Sequence, residues 1–224
     1  MRSSTRLDQL MLSACIVVAS NWLLAVPCVV AEPLRIQLDE QAHTLSVFRQ
    51  GTNQSILTQN ARPDHRPYLH PIVSPDGQGI LTQNSPNHHP HQTGIYWGFT
   101  RVNGRDYFHH PKGDYWRRVS LKILVHESRG ETAPVQWQTI YDLLDEQGKP
   151  ILTETQIWTM RLEGDSTILD LQWSGEAKTQ VTIQKYKYGG LFIRMPWREG
   201  IRAEVVNAAR NRNLEAEGKR ATWL

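Results

Sequence analysis

Seven of the nine histidines, His65, His70, His88, His89, His91, His109 and His110, fall between residues 65 and 110. An imidazole titrates near neutrality, ligates metals, and both donates and accepts hydrogen bonds, so such clustering calls for a cause. Its densest part is Asn87-His88-His89-Pro90-His91-Gln92. On an extended segment, side chains two residues apart share a face, which would aim His89 and His91 at one point. Two chemistries follow from that convergence. As general acids and bases, His88, His89 and His91 are the candidate catalytic residues, one imidazole donating to a leaving or ring oxygen while a carboxylate accepts. As metal ligands, His89 and His91 would need a third group from His70, His109, His110, Asp106 or Glu199, and no spacing in the sequence fixes one. A cofactor is therefore left open. The plainer use of loop histidines is hydrogen bonding to the backbone, and it is the reading for His109 and His110, as for the isolated His43 and His126.

Immediately downstream runs Thr93-Gly94-Ile95-Tyr96-Trp97-Gly98-Phe99-Thr100, an aromatic strand ending at the Val102-Asn103-Gly104 turn. An aromatic strand beside a polar loop suits a sugar ring, whose C–H faces pack on Trp or Tyr while its hydroxyls seek His, Asn, Asp and Arg. The expected ligand-binding residues are His70, Trp97, Asn103 and Asp106, with Arg198 and Glu199 placed on a rim by the strand break at Pro196. The sequence contains no Gly-rich phosphate loop, no Gly-x-Ser-x-Gly elbow and no His-Glu-x-x-His helix. With 25 Lys+Arg against 22 Asp+Glu the net charge is +3, too small a field for nucleic acid or an anionic membrane surface.

The elements that must position these residues are strands. Val119, Leu121, Ile123 and Val125 alternate with Ser120, Lys122, Leu124 and His126. Val135, Trp137, Thr139, Tyr141 and Leu143 repeat the pattern, and Leu152, Glu154, Gln156, Trp158, Met160 and Leu162 share one face of another run. Thr167, Leu169, Leu171 and Trp173, then Val181 and Ile183, continue the meander toward Gly189-Gly190. Asp76-Gly77, Asn103-Gly104, Asp145 to Gly148, and Glu163-Gly164-Asp165 supply the turns. Strands this long would leave a face of Trp, Ile and Leu in water unless two sheets stack, so the expected fold class is an all-β, antiparallel two-sheet β-sandwich. The Pro-rich stretch from Asn53 to His91 reads as loop with one short strand, Pro67 to Val73. Asn207 to Trp223 reads as a short helix or an exposed loop.

At the front, Arg2 and Arg6 precede an apolar run from Leu10 to Ala31, and Val29-Val30-Ala31 offers small residues before Glu32-Pro33. This is the layout of an export signal over residues 1–31, followed by a β-sandwich domain over 32–224. An uncleaved N-terminal membrane anchor is the rival, and Leu12-Ser13-Ala14-Cys15 offers a lipid-attachment box. Both cysteines, Cys15 and Cys28, lie in this leader, so a periplasmic or extracellular mature chain would carry no thiol, and any metal would rely on imidazole and carboxylate. No later stretch is apolar enough to span a bilayer, so no membrane is expected for the mature protein. Ala221-Thr222-Trp223-Leu224 reads as the start of a strand, and further C-terminal strands are expected to be missing.

Several blocks carry a resemblance: Arg66-Pro67-Tyr68-Leu69-His70-Pro71, Asp76-Gly77, His88 through Gly98, and Val102-Asn103-Gly104-Arg105-Asp106-Tyr107, with Gly190 to Met195 and Glu217 to Ala221 beyond them. Together they resemble a family of secreted bacterial proteins labelled PmoA-like, itself similar to galactose-mutarotase-type β-sandwiches. The resemblance implies carbohydrate-related work. The family label implies, as the alternative, a metal-dependent oxidoreductase. A non-catalytic interaction module is the third class.

Overall fold

A computed structural model describes residues 33–130 and 133–222. The leader read over residues 1–31 and the Trp223-Leu224 end lie outside the described residues. The chain forms ten strands: β1 (Leu34–Asp39), β2 (Thr44–Arg49), β3 (Ser55–Asn60), β4 (Tyr68–Ile72), β5 (Ile95–Gly98), β6 (Trp116–Val125), β7 (Val135–Leu144), β8 (Pro150–Glu163), β9 (Ser166–Ala177) and β10 (Gly190–Ile193). They make two antiparallel sheets, one of six strands in the order β1-β2-β3-β4-β5-β10 and one of four in the order β6-β7-β8-β9. The all-β sandwich expected from the alternating pattern is the observed fold. Among the described residues no helix is long and apolar enough to cross a membrane.

The two inner faces meet in a core set by the period-two pattern. Leu34, Ile36, Leu45, Val47, Leu57 and Leu69 of the first sheet pack on Val135, Trp137, Trp158, Met160 and Leu162 of the second. A second cluster joins Phe99, Val102, Tyr107 and Trp116 to Tyr141, Leu143 and Leu152, with Trp97 and Trp173 against it. On β8 the alternate positions 152, 154, 156, 158, 160 and 162 are all buried, so Glu154 and Gln156 are carried into the core. They survive there because each polar atom is paired. Glu154 accepts from the Trp173 indole at 3.2 Å and from Gln156 at 3.0 Å, and Gln156 in turn accepts from the Trp158 indole at 3.1 Å.

The turns follow their residues. Gly164, at φ +55°, opens the two-residue loop between β8 and β9, which pair from Glu163↔Ser166 to Leu152↔Ala177. Asn103 and Gly104 are both left-handed, at φ +51° and +83°, closing the Val102↔Arg105 bridge.

Two expectations need correction. β3 lies inside the stretch read as loop. Its inward face is Leu57 and Gln59, and the polar Gln59 masks the alternation; it is buried because it accepts from the Trp137 indole and donates to the Asn60 and Tyr68 carbonyls. Val181 and Ile183 do not extend the meander. Ile183 is exposed and makes a single bridge to Val102. The chain then returns across the molecule so that β10 lies beside β5, pairing Phe192 with Tyr96 and Leu191 with Trp97. The stretch from Asn207, read as a short helix or an exposed loop, is mostly exposed loop with one 3-10 turn over Asn213–Glu215.

Candidate functional site

The β5–β10 pairing builds the site. Tyr96 of β5 stacks on Phe192 of β10 with ring centroids 5.4 Å apart, and Phe108 packs on Phe192 at 4.6 Å and on Tyr188 at 5.0 Å. Over this aromatic floor lie His89, His91, Gln92 and His109, enclosing an open pocket of about 330 Å³ with Phe108, Tyr188 and Phe192.

The histidine segment is not extended. His89 N–H bonds back to Pro86 and Gln92 N–H to His89, two successive turns. Proline at 86 and 90 favours turns over strand, and the turns still bring the His89 and His91 rings to 5.8 Å. Gly94 ends this segment at φ +65°. A Cβ there would stand 2.0 Å from the Leu69 carbonyl oxygen, so only glycine lets the loop enter β5 this close to β4.

Arg66 anchors the loop from beneath. Its side chain is fully buried, its guanidinium donates to the His91 carbonyl at 2.6 Å and the Phe108 carbonyl at 3.0 Å, and it lies 3.6 Å over the Tyr96 ring. Burial pulls its pKa down to about 10, still cationic at neutral pH. Thus one guanidinium ties the backbone beside His91 to the backbone beside His109. The rings of these two histidines are 4.6 Å apart.

His109 belongs to a hydrogen-bonded series. Its Nδ1 faces Asp106 Oδ2 at 2.8 Å, and its Nε2 faces the Tyr188 hydroxyl at 3.2 Å. Asp106 is fixed by the Phe108 and His109 amides, which donate to Oδ1 at 3.0 and 3.1 Å. Burial opposes ionisation of Asp106, but the amide and ring hydrogen bonds of His109 outweigh it and hold the carboxyl below its usual range. His91 is held neutral: burial first, then the neighbouring His109, Arg66 and His89, lower its pKa to about 4. Partial desolvation, and then Tyr186 beside it, push the Tyr188 phenol up.

The expected site residues divide. His89 and His91 line the pocket, and Asp106 supports it through His109. His88 does not line it; it is exposed, and its Nε2 is 2.7 Å from the Arg194 guanidinium, which also donates to Gln83 and Gln92 and so stitches the loop to the end of β10. His70 pairs with Thr82 at 2.9 Å, away from the pocket. Trp97 points between the sheets and stacks on Trp173 at 4.6 Å, because alternation places it opposite Tyr96. Asn103 spends its side chain on the backbone of Gln180 and Thr182. It borders a second hollow, of about 480 Å³, that contains no imidazole. Arg198 and Glu199 are exposed and outside the pocket lining. Among the described residues no group of three or more His, Cys, Asp or Glu side chains is arranged to hold a metal ion.

Tyr188, Phe192 and Arg66 were not expected here, and His109 was expected only as a candidate third metal ligand or as a loop residue bonding to the backbone. The Asp106-x-x-His109 spacing was the one available signal, since a carboxylate that caps its own turn three residues earlier reaches the imidazole. The others arrive only through the β10 return and the burial of Arg66. Residues 44–224 match the sequence pattern of the family described as "Family of unknown function (DUF6807)". No curated protein and no solved structure matches the chain.

Proposed function

We propose that this chain, which belongs to the DUF6807 family, is an exported protein that binds carbohydrate in the pocket of His89, His91, Gln92, His109, Phe108, Tyr188 and Phe192. The observation that carries the reading is the convergence of three imidazoles and one amide over three aromatic rings in one open pocket. Aromatic faces take the C–H surface of a sugar, and groups that donate and accept hydrogen bonds match its hydroxyls. The neutral state of His91 favours an uncharged polyhydroxylated ligand, because a neutral imidazole offers both a donor and an acceptor. The leader pattern supports export, and the PmoA-like resemblance, with its carbohydrate-related implication, belongs to the same proposal.

Calorimetric titration with D-glucose, D-galactose, N-acetylglucosamine and their β-linked oligosaccharides tests it. At least one is expected to bind, and His91→Ala is expected to weaken that binding about tenfold or more, the cost of one buried hydrogen-bonding group. No binding across the panel, or binding that His91→Ala leaves unchanged, would overturn the reading.

A further inference from the structure

We propose that the pocket is catalytic as well as binding, with the Tyr188 hydroxyl as its proton-transferring group and His109 and Asp106 as the relay behind it. The inference rests on the carbohydrate reading for its substrate class, a sugar hydroxyl, and on the hydrogen-bond geometry for its chemistry.

The polarity of the relay follows from the contacts. An ionised Asp106 carboxylate can only accept, so the Nδ1 it faces at 2.8 Å carries the proton. In a neutral imidazole that leaves Nε2 as the acceptor, and the Tyr188 hydroxyl 3.2 Å away donates to it. A hydroxyl donating to an imidazole that a carboxylate orients is the arrangement that activates an oxygen nucleophile or base. Asp106 is itself immobilised by two amides, so the relay is built in before any ligand arrives. Tyr188 lines the pocket and is 40% exposed, so its oxygen can meet a bound hydroxyl.

In the elementary step a sugar O–H bond breaks and its proton joins the Tyr188 oxygen. At the same time the phenol's own proton moves to His109 Nε2. The electron pair stays on the sugar as an alkoxide, and the Asp106 charge offsets the imidazolium. Two protons move, nothing is oxidised or reduced, and reversal restores every group.

The molecule carries its own control. Tyr186 is exposed to 39%, nearly the same as Tyr188, and its ring touches that of Tyr188 at 5.1 Å, yet no imidazole bonds to its hydroxyl among the described residues. An arylsulfonyl fluoride reports the difference. Its sulfur forms a bond to the phenolic oxygen as the S–F bond breaks, fluoride leaves, and the phenolic proton goes to the neighbouring base. With the full chain near neutral pH and peptide mapping by mass spectrometry, Tyr188 is expected to label at least about tenfold faster than Tyr186. His109→Gln should bring the two rates together, and Asp106→Asn should lower the ratio, with thermal melts reporting that each variant is folded. Equal rates at the two tyrosines in the unsubstituted protein would overturn the relay, as would a ratio unchanged in folded His109→Gln. If a variant fails to fold, the ratio in the unsubstituted protein decides alone. Because labelling needs no sugar, fast labelling without sugar binding would overturn the carbohydrate reading and leave the relay standing. Sugar binding with equal labelling would overturn the relay alone.

Discussion

Replacing Arg66 with methionine is expected to lower the free energy of unfolding by about 2–5 kcal/mol, the cost of leaving two carbonyls in the protein without donors. Methionine keeps much of the volume, so the loss falls on polar terms more than on a cavity. Two carbonyls, those of His91 and Phe108, lose their donors in the interior, and the Tyr96 ring loses the cation above it. The effect is also local. Those carbonyls belong to the two segments that carry His91 and His109, so the folded fraction of Arg66→Met should bind sugar more weakly. Urea unfolding followed by tryptophan fluorescence measures the first effect, and titration of the folded variant the second. A loss below about 1 kcal/mol would mean that the guanidinium is incidental to the loop.

The second large effect is a pH dependence centred on Glu154. Burial raises its carboxyl to about 7 from 4.5, although Trp173, Gln156 and Arg66 favour the ionised form. A group whose pKa is higher in the folded than in the unfolded chain stabilises fully below the unfolded value and loses that contribution as pH rises through the folded one. Between about pH 4.5 and pH 8 this amounts to about 3 kcal/mol. His91 acts in the opposite sense. Its depressed pKa gives stability that is present above its ordinary 6.5 and lost as pH falls through about 4, a contribution reduced because the ring is partly open to solvent. Comparing the protein with Glu154→Gln at each pH cancels His91 and every other common group. Denaturant melts at pH 5, 6, 7 and 8.5 should show stability falling with pH by about 3 kcal/mol more in the unsubstituted protein than in the variant. Parallel curves would contradict the assignment.

The sheets were legible because burial on both inner faces enforces alternation. Val135, Trp137, Thr139, Tyr141 and Leu143 are all buried on β7, as their spacing requires. Alternation failed where an inward residue is polar, as at Gln59 on β3, and where apolar residues face water, as at Ile183. The site was half legible. His89 and His91 could be found because they are close in sequence. Phe192, which completes the floor, lies just over a hundred residues further along the chain and reaches it only through the β5–β10 pairing. Strand parity decided Tyr96 against Trp97: a shift of one residue exchanges faces, and the sequence alone does not say which face carries the loop.

The claim at the centre is that His89, His91 and His109 together contact a sugar. A histidine-resolved NMR titration reads it directly, following the imidazole Cε1–H signals while the sugars and oligosaccharides of the calorimetric panel are added. The signals of His89, His91 and His109 should move together and saturate at one shared affinity, while those of His43, His65 and His126 stay in place. Signals that all remain still, or that move only at histidines outside the pocket, would contradict the site.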